Sequence, residues 1–340
     1  MSAPFHPYLC GRNAAEWLIN MSKKKIQVPA NTLRSRNSFV RRLWKDRVLI
    51  LMALPAVVLM IMFNYIPMTG LVLAFKKFDY KLGLYASPWN GLSNFKQLFL
   101  VSNVFWRMTR NTIGYYLLFT LIGTSCQVAL AIAVHELLFK RYSKAVQCIL
   151  ILPTFLSAVA LRYIVSSMLS LDVGVVNKII TSLGGDQIQF YLNAKYWPLI
   201  LTIVNTWKGT GYGSVLYLSV LAGIDGELYD AAVVDGSNTW QRIRYITIPS
   251  LIPMVSIRML LSLGNIMHSD TGLFFEVTKN SGALYPTTQV IDSYLLNAIT
   301  SPTAYGQTAA ATFYQSVIGL IMVVSVNLIV RKISPEDALF

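Results

Sequence analysis

Three stretches of this chain, 48–75, 111–134 and 304–330, contain no charged side chain at all. Each exceeds the roughly 20 residues that an α-helix needs to cross the hydrocarbon core of a bilayer. A water-soluble domain carries about 25% charged residues, whereas here only 13% are charged and 54% are hydrophobic. Too little polar surface is available to cover a soluble fold of 340 residues. The chain is therefore read as an all-α polytopic membrane protein.

Further apolar runs bring the expected count to about six transmembrane helices, over 48–67, 111–134, 145–167, 196–221, 250–269 and 309–330. Polar segments separate them. The stretch 76–102 is rich in Asp, Lys, Asn, Pro and Gly, and the loop 171–195 holds Gly184-Gly185-Asp186. The loop after the fifth span holds Lys279, Asn280 and Pro286. The expected organisation is a basic tail over 1–47, a first helix and outer segment over 48–110, a core over 111–331 and a short tail over 332–340. Met21, ahead of Lys23-Lys24-Lys25, reads as a second candidate start, and no apolar leader precedes it.

The net charge of +14 does not point to nucleic acid, because the basic residues form no stripe. Ten of the 29 Lys and Arg precede the first span. With six spans, the side holding both termini carries 17 basic residues in its flanks against 9 on the other. Cytoplasmic loops hold the excess of Lys and Arg, so both termini are expected in the cytoplasm. Cys10, Cys126 and Cys148 are scattered, and His6, His135 and His268 lack metal-ligand spacing. No metal or catalytic group is expected. No Gly-x4-Gly-Lys-Ser/Thr phosphate loop is present either, so ATP chemistry is not expected in this chain.

The most informative segment lies between the fourth and fifth spans, over 223–249. It reads as two short helices. Leu228 to Val234 contains no breaker, and Gly236 can end a helix with a positive φ. Asn238 suits an N-cap with Gln241 three residues on, and Pro249 and Pro253 suit the start of the next span. Ala231 and Ala232 leave one surface thin, which favours close approach by a partner.

This loop resembles the EAA signature of binding-protein-dependent ABC permeases. Asp230-Ala231-Ala232, three residues, Gly236, nine residues and Ile246-x-Ile248-Pro249 match its spacing throughout. Asp replaces the usual Glu, and Ile248 the usual Leu. Gly91-Leu-Ser-Asn94-Phe95, Asn111-Thr112, Leu152-Pro153 and Gly174-Val-Val-Asn177 resemble the carbohydrate-uptake branch of the same family. Within that branch the chain is most similar to oligosaccharide permeases, including those for acidic oligomers such as aldouronate and alginate.

The resemblance implies the type I ABC importer permease fold. It also implies a periplasmic solute-binding protein, a second permease (a different chain) and two ATP-binding cassette subunits carrying Mg-ATP. The loop would be the coupling element, with Tyr229, Asp230, Ala231, Ala232, Asp235, Gly236, Ile246 and Pro249 as its functional residues.

Candidate pathway residues come from the fourth span. Lys208 lies near its middle, where an ionisable group is costly and by default functional. It faces the pathway, or else the span starts deeper, or the side chain snorkels or pairs with a buried carboxylate. Asn205, Trp207 and Tyr212 surround it and suit either a sugar or an interfacial anchor. Arg162 and Arg258 are expected to snorkel or form structural pairs, Arg258 near the inner end of its span. Asn265, His268 and Asp270 are expected to cap the outer end of the fifth span or to face the binding protein. An ion-coupled secondary transporter is the competing reading; it would show repeated halves, and no convincing repeat is found.

Overall fold

The computed structural model describes residues 47–101, 103–136, 140–299 and 305–333. The basic N-terminal tail and the residues after 333 lie outside these. The chain divides into two compact units, one ending at Pro67 and the other starting at Met68. In the first, α1 (Arg47–Met60) continues through a π turn at Ile61–Tyr65. None of its described side chains is buried.

The second unit holds the rest. A 3-10 turn over Thr69–Phe75 is followed by the polar segment, which Asn94 organises. Its side-chain amide donates to the carbonyls of Leu73, Ala74 and Lys76 at 3.3, 2.9 and 2.9 Å. Next come α2 (Asn103–His135), α3 (Lys140–Ile151), α4 (Ala158–Leu169), α5 (Val175–Ser182) and α6 (Trp197–Ala222). The loop helices are α7 (Gly226–Val234) and α8 (Thr239–Arg242). They are followed by α9 (Ile248–Ser262), α10 (Ile291–Ile299) and α11 (Tyr305–Ile333). No strand is found among the described residues.

Four helical runs are long and apolar enough to cross a membrane: Arg47–Phe75, Asn103–His135, Thr239–Asn265 and Tyr305–Leu328. The expected third span is broken. Ala145–Phe155 and Ala158–Leu169 meet at 95°. Pro153 lacks an N–H and tightens Leu152–Phe155 into a 3-10 turn. Ser157 then starts α4 afresh, its hydroxyl accepting from the Ala160 N–H at 3.1 Å. The expected fourth span is α6, which at 26 residues is about 39 Å long. It is less apolar than these four because Asn205 to Ser214 forms a polar, glycine-rich middle. The fifth begins at Thr239, well before the expected 250, because the Asn238 cap starts a helix that runs through a π turn into α9.

α6 packs along α2 and against the end of α3. The contact needs glycine: a Cβ on Gly211 would lie 1.8 Å from the Leu150 carbonyl oxygen, and one on Gly213 would lie 2.3 Å from the Gln127 side chain. Small residues commonly let membrane helices approach this closely. The loop expected after the fifth span instead folds back into the helices. Leu273, Phe274, Val277, Leu284 and Val290 are buried there with Trp197 and Leu201 of α6. Lys279 and Asn280 make the reversal, with φ of 57° and 49°.

Candidate functional site

Two places carry functional geometry, the α7–α8 loop and a polar cleft between helices. In the loop, Asp225 caps α7 by accepting from the Glu227 N–H at 3.0 Å. Gly236, at φ +81°, ends it. The Ser237 N–H donates to the Ala232 carbonyl at 2.9 Å and the Gly236 N–H to that of Val233 at 3.0 Å, the paired bonds of a Schellman motif. Asn238 and Gln241 then form a reciprocal capping box, both bonds 2.8 Å.

Pro249 has no N–H for the Tyr245 carbonyl, and the helix relaxes through a π turn over Ile243–Thr247. The Tyr229 hydroxyl bonds that of Thr247 at 3.0 Å, and its ring lies 5.8 Å from that of His135. These contacts join α7 to the base of the helix that leads into α9 and to the end of α2.

Asp230, Ala231, Asp235, Gly236 and Pro249 are exposed, while Ala232 and Ile246 are half-buried. Leu228, Val233, Val234, Trp240 and Tyr245 are also exposed, Val234 to 86%. These apolar side chains stand beside the exposed carboxylates of Asp230 and Asp235.

The cleft, about 290 Å³, lies among α2, α6, α9 and the returning segment. Tyr115, Gln127, Asn205, Arg258, His268 and Asp270 give it polar walls, with Phe119 and Phe274 as apolar ones. Of the four pathway candidates, only Asn205 lines it. Lys208 stands at its rim, Nζ 3.8 Å from Asp270 Oδ2, so it is paired with a half-exposed carboxylate. Trp207 and Tyr212 are exposed and do not line the cleft.

Arg162 makes the expected structural pair, 3.0 Å from Glu276. Asp270 caps the returning segment by accepting from the Leu273 N–H at 3.1 Å. Arg258 departs from expectation. It sits in the cleft wall toward the far end of its helix, because that helix begins earlier than the proline pattern implies. Sequence reasoning missed Tyr115, Gln127 and Arg258 as wall residues. Their one visible signal was a polar or charged group inside an otherwise apolar helix.

Long apolar helices around a polar cleft, with a structured helical loop at one end, define a membrane transport permease. The chain belongs to the family of binding-protein-dependent transport system inner membrane components, which it matches over residues 128–335. It is 29% identical to protein LplB of Bacillus subtilis, across 92% of this chain and 98% of that protein. It is 26% identical to the polygalacturonan/rhamnogalacturonan transport system permease YteP of the same organism, covering 88% and 93%.

Among solved structures it resembles a chain of a bacterial ABC transporter involved in the import of the acidic polysaccharide alginate. The two superpose with a TM-score of 0.78 at 31% identity, over 87% of this chain and 99% of that one. The expected ABC importer permease fold therefore holds. The chain is an inner-membrane transport component, not an enzyme by family.

Proposed function

We propose that this chain forms, with a second and different permease, the pathway of an ABC importer for an oligosaccharide handed over by a periplasmic binding protein. Two ATPase subunits carrying Mg-ATP would drive it through the α7–α8 loop. The observation that carries this reading is the loop itself: a Schellman turn and a capping box hold two helices rigid while their apolar and acidic side chains remain uncovered. Rigidity without internal packing suits an element that transmits force from a partner. The carbohydrate names of relatives and of the solved transporter support the substrate class.

The reading places both termini and this loop in the cytoplasm. In a cysteine-free background, Val234→Cys is expected to resist an impermeant thiol reagent in intact cells and to react once the membrane is opened. Labelling from outside would remove both topology and coupling role.

Lys208, together with Asp270, is proposed to border the pathway. Lys208→Met should lower uptake several-fold, because it strips the charge from the rim and leaves Asp270 without its cation. Assembly is expected to stay normal, and the double variant Lys208→Met with Asp270→Asn is expected not to recover normal uptake. Full uptake in the double variant would make the pair purely structural.

A further inference from the structure

The cleft holds a cation whose charge no described carboxylate answers. Arg162 lies 3.0 Å from Glu276, Lys208 3.8 Å from Asp270 and His268 3.7 Å from Asp292. Arg258 lines the same cleft, yet its described partners are neutral: the Gly213 carbonyl at 3.3 Å and the Tyr217 ring, whose centroid is 5.6 Å away. It stands about 10 Å short of the helix end at Asn265. An ionised group at such a depth is expensive unless it is paired or faces a polar cavity.

Two other wall groups are also unanswered. Tyr115 is only 4% exposed, and its hydroxyl has no hydrogen-bond partner among the described atoms. Gln127 Oε1 is enclosed and equally without one. Asp270 in the same wall would repel an anion, but it is paired with Lys208 at 3.8 Å.

Resting on the oligosaccharide reading above, we propose that Arg258 receives the carboxylate of an acidic sugar unit as it passes. In this arrangement Tyr115 and Gln127 bond the same unit's oxygens and hydroxyls. A guanidinium presents parallel N–H groups that fit a carboxylate, and the Gly213 carbonyl occupies only part of that set. The Tyr115 hydroxyl can donate, whereas Gln127 Oε1 accepts, so the walls offer both halves of a sugar's hydrogen-bonding pattern. At about 290 Å³ the cleft is at the small end of ligand sites, which suits a single sugar unit and not a length of chain.

The test uses the complete importer reconstituted in vesicles with its partners. Its probes are a uronate tetrasaccharide and the same tetrasaccharide with every carboxylate reduced to an alcohol. Wild type is expected to favour the acidic sugar. Arg258→Gln should cut the acidic-to-reduced uptake ratio by about tenfold or more, the scale of losing a charged hydrogen bond, and Arg258→Lys should retain part of it.

If Arg258→Gln lowers uptake of both sugars equally, or changes neither, the arginine is structural and the inference falls alone. A wild type that takes only the reduced sugar overturns the inference and leaves the permease reading intact. A wild type that moves neither, with no sugar-stimulated ATP hydrolysis, overturns both.

Discussion

Gly236→Val and Asp230→Lys are each expected to abolish stimulation of ATP hydrolysis by loaded binding protein, while membrane levels of this chain stay normal. Gly236 sits at φ +81°. Beyond its chain neighbours, a Cβ there meets no described atom within 4 Å, so the penalty is conformational rather than steric. Holding an L-residue left-handed costs roughly 1–2 kcal/mol, and a β-branched one is among the least tolerant. The turn should open, and the register between α7 and α8 should be lost. Asp230 is exposed, so reversing its charge leaves the chain's own stability within about 0.5 kcal/mol and acts on whatever docks against it. The measurement is co-purification of the ATPase subunits, followed by ATP hydrolysis with and without loaded binding protein. Wild-type stimulation and uptake in both variants would leave the loop a simple connector and remove the central support for the proposed coupling.

The second large effect is expected at Gly211. Replacing it with leucine should cost about 3 kcal/mol or more, since even a Cβ would lie 1.8 Å from the Leu150 carbonyl oxygen. That atom belongs to the backbone and cannot rotate away. α6 and the end of α3 would have to separate where the third span breaks and where the Thr154 hydroxyl donates to the Lys208 carbonyl at 2.7 Å. A Cβ on Gly209, two residues earlier, would meet no described atom outside its own stretch of helix within 4 Å. Gly209→Ala should therefore be neutral, or stabilising by up to about 1 kcal/mol through helix propensity. Thermal denaturation of the two variants in detergent separates these outcomes. Equal melting temperatures would mean that the helices do not meet closely at Gly211.

Part of this fold is legible in the amino-acid sequence alone. Hydropathy located the apolar helices, because the cost of an unpaired backbone in hydrocarbon leaves a long uncharged segment little choice but to be helical. The α7–α8 turn was equally legible: Gly236 and the Asn238–Gln241 pair act within a few residues, and their bonds are local. The spacing around them also carried the family resemblance.

Where local signals competed, reading by pattern was less sure. Pro249 and Pro253 suggested a helix start, but the cap at Asn238 won and Pro249 was absorbed by a π turn. The 95° break before α4 was hidden because both of its arms are apolar.

What only the tertiary structure decided are relationships between distant residues. Arg162 finds Glu276 across 114 positions, and Lys208 finds Asp270. Arg258 finds no carboxylate partner among the described residues and lines a cleft with Tyr115 and Gln127. No period or composition encodes such meetings. A charge inside an apolar helix announces that it needs an answer, whereas the identity of that answer depends on how α6 is seated against α2 and α3 through Gly211 and Gly213. The sequence by itself determined the apolar helical segments and the rigid loop, since hydration cost and helix capping act within one segment, but not the break in the third span or the start of the fifth. The packing of separate segments decided the cleft and its unbalanced charge.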